Sequence, residues 1–146
     1  MTEINLSIDN AVDPCELTIE AIKSSNTIIK GCVYKLDHIG IYNELIKAID
    51  RGVTVEFVFD YKSNIHNSLV HKLYIRGARI YFWNKCEKLH GKFYIFDDKH
   101  VLTGSFNLTE SYKHKTELVI DTVENVDTFV NLYSKLVKMS TNLNIC

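Results

Sequence analysis

Apolar and polar positions alternate along the chain in short, distinct blocks. Residues 27–36, TIIKGCVYKL, are β-branched and apolar and predict a buried strand. Ahead of them, Asp13-Pro14-Cys15-Glu16 has the form of a helix start: Asp as N-cap, Pro in the first helical position, Glu at the third. Cys15, Ile19 and Ile22 then supply an inward stripe. A second helix is expected over 39–51, with Ile41, Leu45, Ile46 and Ile49 on one face and Arg51-Gly52 as its stop. VTVEFVFD (53–60) reads as a strand, 66–76 as a helix facing in with Leu69, Val70, Leu73 and Tyr74, and ARIYFW (78–83) as a strand. Strands over 90–96 and 100–104 flank Asp97-Asp98-Lys99 and predict a hairpin. TELVIDT (116–122) is the last expected strand. A helix over 124–139 follows, with Val126, Phe129, Val130, Tyr133, Leu136 and Val137 toward the core.

Strand–helix–strand repetition gives parallel pairs through right-handed crossovers, and the hairpin adds antiparallel pairing. The expectation is an α/β fold with a mixed, mostly parallel sheet and helices on both faces. The length of 146 residues, without linker or repeat, predicts one domain over 1–146.

Composition changes this picture little; charge distribution changes it more. The net charge is only −1. Residues 1–61 hold five Lys/Arg against ten Asp/Glu (−5), 62–115 hold ten against four (+6), and 116–146 hold two against four (−2). Five of the six histidines lie in the middle segment. Such a field attracts a polyanion or a phosphate surface. The four cysteines, Cys15, Cys32, Cys86 and Cys146, form no CxxC pair and no zinc spacing with His, so free thiols in a reducing compartment are expected. Residues 1–10 read as no signal peptide, and no run of about 18 apolar residues occurs, so a cytoplasmic protein is expected.

The chemistry concentrates in HGKFYIFDDKHVLTGSFN, residues 90–107: His90-x-Lys92-x(4)-Asp97-x(6)-Gly104-Ser105-x-Asn107. On average residue usage, roughly one unrelated chain in a million matches those offsets by accident. Strand alternation puts His90 and Lys92 on one face, and Ser105 and Asn107 share a parity beyond the turn. A paired hairpin lets all four converge on one phosphate, with Gly104 permitting a close backbone approach. Neutral imidazole can attack a phosphodiester and form phosphohistidine. Lys92, Asn107 and Ser105 can stabilise the charge of the five-coordinate transition state without a metal or other cofactor. A second imidazole is suited to protonate the leaving oxygen. Glu117, at the head of an apolar strand, either orients His90 as the acid of a triad does or is a strand-edge surface acid.

These residues resemble the HKD signature of the phospholipase D superfamily at every specified position. With the first helix, TIIKGCVYKL and KAIDRGVTVEFVFD, the similarity extends over roughly residues 12–140, toward the small single-motif endonuclease type of that superfamily. The resemblance implies a phospholipase D-like fold with His90 as nucleophile, Lys92 and Asn107 on phosphate, and Ser105 assisting. It implies Glu117 as the acid bonded to the catalytic His and Asp97 as a structural residue of the turn. The family uses two motifs per active site and this chain has one, so the resemblance implies a homodimer with two His90 side chains at the two-fold axis.

The leading expectation is thus a metal-independent phosphodiesterase, a nuclease acting on DNA or RNA. The alternative is a phospholipase or phosphatidyl-transfer enzyme on membrane lipid, for which no amphipathic anchor is visible. A third reading is a catalytically silent nucleic-acid-binding module. Lys85, Lys88, Lys113, His114 and Lys115 are candidate nucleic-acid contacts.

Overall fold

The computed structural model describes residues 1–8, 13–110 and 115–143. An eight-stranded sheet runs in the order β1 (Thr2–Leu6), β7 (Leu118–Thr122), β6 (His100–Gly104), β5 (Phe93–Phe96), β2 (Ile28–Val33), β3 (Thr54–Asp60), β4 (Arg79–Trp83), β8 (Thr141–Asn142). The helices are α1 (Pro14–Ser24), α2 (Ile39–Asp50), α3 (Tyr61–Asn64), α4 (Ser68–Ile75) and α5 (Val126–Met139). The α/β class and the helices on both faces agree with the expectation.

The expected parallel majority does not. Only β2–β3 and β3–β4 are parallel; β2–β5, β5–β6, β6–β7, β1–β7 and β4–β8 are antiparallel. Parallel pairing needs a crossover, and only the steps β2 to β3 and β3 to β4 join neighbouring strands through helices. From β4 to β7 the chain returns by loops and a turn, so each new strand reverses direction. Strands β1 and β8 at the two edges were not expected.

Local sequence accounts for most elements. Asp13 caps α1 through Oδ1, which accepts from the Cys15 and Glu16 amides at 2.9 and 3.2 Å, with Pro14 in the first turn. The third expected helix is α4, capped by Asn67, and an unexpected short helix, α3, capped by Asp60, precedes it. At the hairpin, Asp97 and Asp98 both hold positive φ, 56° and 53°, the left-handed conformation that short polar side chains tolerate best after glycine. Asp97 then reaches back to the start of β2. Its carboxylate accepts from the amides of Asn26, Thr27 and Ile28 and from the Thr27 hydroxyl, at 2.8–3.1 Å. Partial burial alone would raise this carboxyl, but those donors outweigh it and hold the pKa below the ordinary value.

Two apolar cores lie on opposite faces of the sheet. One packs α1, α2 and α4 through Ile22, Leu45, Val70 and Leu73 onto Ile29, Phe57, Phe59 and Phe82. The other packs α5 through Val126 and Tyr133 onto Cys32, Val58, Ile95 and Val101. The α5 face is only partly covered. Val101 pairs with Thr122 and Thr103 with Ile120, so alternation sends Leu118, Ile120 and their β1 partners Leu6 and Ile4 to this side. Ile4, Leu6 and Leu118 remain 66%, 44% and 38% exposed, and Leu132 and Met139 on α5 are also exposed.

Candidate active site

Antiparallel order brings the start of β5, the end of β6 and the start of β7 to one end of the sheet. There Tyr34, His90, Lys92, Ser105, Phe106, Asn107, Thr109, Lys115 and Glu117 line an open cavity of about 290 Å³. Of the motif residues, His90, Lys92, Ser105 and Asn107 therefore share one hollow, while Asp97 lies at the other end of the hairpin, on the start of β2.

His90 and Lys92 precede β5 rather than lying in it, because the strand begins at Phe93. Their segment is instead pinned from three sides. The Leu89 amide donates to buried Asp60 at 3.0 Å, the Cys32 thiol to the Gly91 carbonyl at 3.4 Å, and the Thr103 hydroxyl to the Lys92 carbonyl at 2.6 Å. Sequence reasoning gave Asp60, Cys32 and Thr103 no part in the site, since such contacts depend on strand neighbours far apart in the chain. Burial pushes the Cys32 thiol up to about 12, so it acts as a neutral donor at ordinary pH.

On the β6 side, residues 105–108 alternate. Phe106 and Leu108 are fully buried, while Ser105 and Asn107 turn toward the cavity. The Tyr94 hydroxyl donates to the Phe106 carbonyl at 3.1 Å. Leu108 exchanges backbone bonds with residues 35–38: its amide donates to Lys35, and its carbonyl accepts from Asp37 and His38. Gly104 has φ +148°, and a Cβ there would meet the Leu118 carbonyl oxygen at 1.9 Å. The close approach it permits is therefore to β7.

The polar contacts define what the cavity can do. Lys92 is buried, and its Nζ lies 2.7 Å from the His90 carbonyl oxygen and 3.0 Å from His90 Nδ1. Burial lowers the Lys92 pKa, and the nearby Glu117 carboxylate pushes it partly back up. A charged ammonium can only donate, so Nδ1 accepts in this contact and the ring proton sits on Nε2. Asn107 accepts from the Lys35 amide at 3.3 Å through its carboxamide oxygen, which leaves its NH₂ to donate into the cavity. Ser105 donates to the Glu117 carboxylate and accepts from the Leu118 amide. Within one chain Glu117 thus engages Ser105, whereas the orienting role considered for it required a bond to His90.

Of the candidate nucleic-acid contacts, Lys115 lines the cavity and Lys88 stands at its edge, 5.9 Å over the Tyr34 ring. Lys85 is exposed in the preceding loop, and Lys113 and His114 lie outside the described residues. Tyr34, Phe106 and Thr109 line the cavity without having been singled out. Among the described residues, no three His, Cys, Asp or Glu side chains gather into a metal site.

A family model described as "Cardiolipin synthase, PLD-like domain" matches residues 18–138. The chain belongs to the phospholipase D-like family. Similar solved structures agree in fold. NucT from Helicobacter pylori superposes with a TM-score of 0.88 at 20% identity, over 98% of this chain and 99% of that one. Nuc from Salmonella typhimurium, a phospholipase D family member, gives 0.86 at 20% identity, over 99% of each chain. A phosphatidylserine synthase from Haemophilus influenzae gives 0.74 at 11% identity, over 97% of this chain and 39% of that one. No curated protein sequence matches the chain.

Proposed function

We propose that this protein is a phosphodiesterase that cleaves DNA or RNA through a phosphohistidine on His90, without a metal, in an active site shared by two copies of the chain. The observation that carries this reading is the convergence of His90, Lys92, Ser105 and Asn107 on one open cavity. An exposed imidazole stands there beside buried or anchored phosphate donors.

In the first step Nε2 of one His90 attacks phosphorus, an N–P bond forms, and the P–O bond to the leaving group breaks. That oxygen takes its proton from the second imidazole. Lys92 and the Asn107 amide hold the non-bridging oxygens as negative charge develops, and the Ser105 hydroxyl joins them by turning its single proton from Glu117 to phosphate. In the second step the same imidazole, now neutral, takes a proton from water, and the hydroxide displaces His90. The contacts within one chain supply neither reacting state. Lys92 on Nδ1 leaves a neutral ring with its proton on Nε2, whereas the general acid must be the imidazolium, protonated on both nitrogens, with Lys92 turned from Nδ1 to phosphate. A nucleophile needs Nε2 bare and Nδ1–H facing an acceptor. Two imidazoles in one site allow both states at once.

The uncovered apolar strip of β1 and β7, with Leu132 and Met139 of α5, supports a second copy as partner. Apolar surface of this kind marks an interaction site, and Leu118 adjoins Glu117 at the cavity. Leu118→Lys is expected to convert the dimer to monomer in sedimentation and to lower activity with it. A folded monomeric variant with full activity would refute the shared site.

Nucleic acid is favoured over lipid because the lining is mostly polar, with Lys88 and Lys115 at hand for flanking phosphates. No described helix is long and apolar enough to cross a membrane. The test is a substrate panel in EDTA. Cleavage of oligonucleotides that persists with chelator is expected. Head-group release from phospholipid vesicles without nucleic-acid cleavage would favour the lipid reading, and loss of all activity on chelation would defeat the metal-free chemistry.

A further inference from the structure

His90 is exposed, and among the described residues the polar contact of its ring is the one from Lys92. One hydrogen bond fixes a single ring atom and leaves the imidazole able to swing about its broad terminal torsion. The reaction tolerates little of that swing. Nε2 must face phosphorus for attack, and the phosphoryl group it then carries must stay against Lys92 and Asn107 until water arrives.

Tyr34 supplies a second constraint. It follows β2 directly, and its ring centroid lies 4.9 Å from that of His90 with a 46° tilt. That distance is close aromatic contact. The Tyr34 backbone is itself anchored: its carbonyl accepts from the Asn64 side chain at 2.7 Å, and the next amide, Lys35, donates to Asn107 at 3.3 Å. Asn64 is fully buried and also donates to the Asp60 carbonyl at 2.9 Å; Asp60 in turn holds the Leu89 amide at 3.0 Å. The tyrosine and the histidine are thus referenced to the same buried pair of residues.

We infer that Tyr34 is a positioning residue: its ring is the wall that sets the plane of His90, so that Nε2 faces the cavity during attack and in the covalent intermediate. The inference rests on His90 being the nucleophile. Tyr34 carries no proton in the reaction. The aromatic ring is the working part, and the hydroxyl is dispensable.

The test compares Tyr34→Phe, Tyr34→Leu and Tyr34→Met with His90→Asn on one oligonucleotide substrate, under single-turnover and steady-state conditions. Tyr34→Phe is expected to retain most of the activity. Tyr34→Leu and Tyr34→Met are expected to lower kcat by about 10–100-fold, the cost of a misplaced reacting group, while KM changes little. NMR gives a readout independent of turnover. The His90 ring protons should carry a ring-current shift in the wild type and in Tyr34→Phe, and lose it in Tyr34→Leu. An unshifted His90 in the wild type overturns the inference even if the aliphatic variants fail to fold. So does wild-type kcat in Tyr34→Leu, or a change confined to KM, which would make Tyr34 a substrate contact. If His90→Asn keeps its activity, the phosphohistidine reading falls first; if His90→Asn is dead and Tyr34→Leu is normal, only the positioning role falls.

Discussion

Strands β2, β3 and β4 run parallel, are joined by helical crossovers and bury nearly every side chain. Strands β5, β6 and β7 run antiparallel, are joined by a turn and a loop, and leave chemistry at their ends. The parallel half contributes Tyr34 to the cavity; the other lining residues flank β5, β6 or β7. The difference follows from connectivity. A parallel crossover uses both strand faces for packing helices, so side chains such as Phe57, Val58 and Phe59 are consumed by core. Antiparallel reversal returns the chain to the same sheet end, so residues before β5, after β6 and before β7 meet there. One half provides rigidity, and the other spends its termini on function.

The largest expected effect breaks the second half alone. His90→Asn should lower turnover by about 10⁶-fold, the scale seen when a catalytic imidazole is lost, with substrate binding and thermal midpoint near wild type. Steady-state kinetics alongside thermal unfolding checks both. The converse change is Val58→Ala. Val58 is fully buried beneath α5, so removing its methyl groups should cost about 2 kcal/mol in denaturant unfolding and leave kcat per folded molecule unchanged. A large kcat loss there would show that the halves are not separable.

Asp97 links the halves, because it sits in the β5–β6 turn and caps the start of β2. Its lowered pKa fixes the sign of the pH effect. The folded state holds the proton less tightly than the unfolded chain, so the stabilisation is present above the unfolded pKa of about 3.9 and is lost as pH falls through the lower folded value. Asp97→Asn should therefore cost about 2 kcal/mol at neutral pH, with the gap to wild type closing in acid. A gap independent of pH would remove the charge from the explanation.

The smallest effect runs the other way. Burial lowers the Lys92 pKa, so the unfolded state binds its proton more readily, and stability rises with pH between the folded and unfolded values. Lys92→Met should raise stability by about 1 kcal/mol while abolishing turnover, because an apolar chain of similar shape removes the cost of burying an ammonium. A lower thermal midpoint would mean that the bonds of Lys92 to His90 outweigh its desolvation.

Much of this was readable from residue order, for identifiable reasons. The Asp13 cap, the Asp97 turn and the stripe of α5 are local patterns, and local patterns survive into the fold. Strand polarity is not local: alternation marks a strand but says nothing of its direction, so the parallel expectation failed where helices stopped separating strands. β1 escaped notice because it is a short, mostly exposed edge strand whose partner lies more than a hundred residues away. In the site, the motif spacing named the residues that share the cavity, but not Tyr34, nor the Ser105 contact of Glu117. Both depend on how β2 and β7 flank the hairpin, which no spacing within the motif encodes.

The most direct test of the account is to stop an oligonucleotide reaction in EDTA with denaturant, keep it near neutral pH, and map the protein by mass. The account predicts a nucleotidyl adduct on His90, absent in His90→Asn, that appears and decays at rates consistent with turnover. Turnover in EDTA with no adduct, or an adduct on another residue, would contradict it.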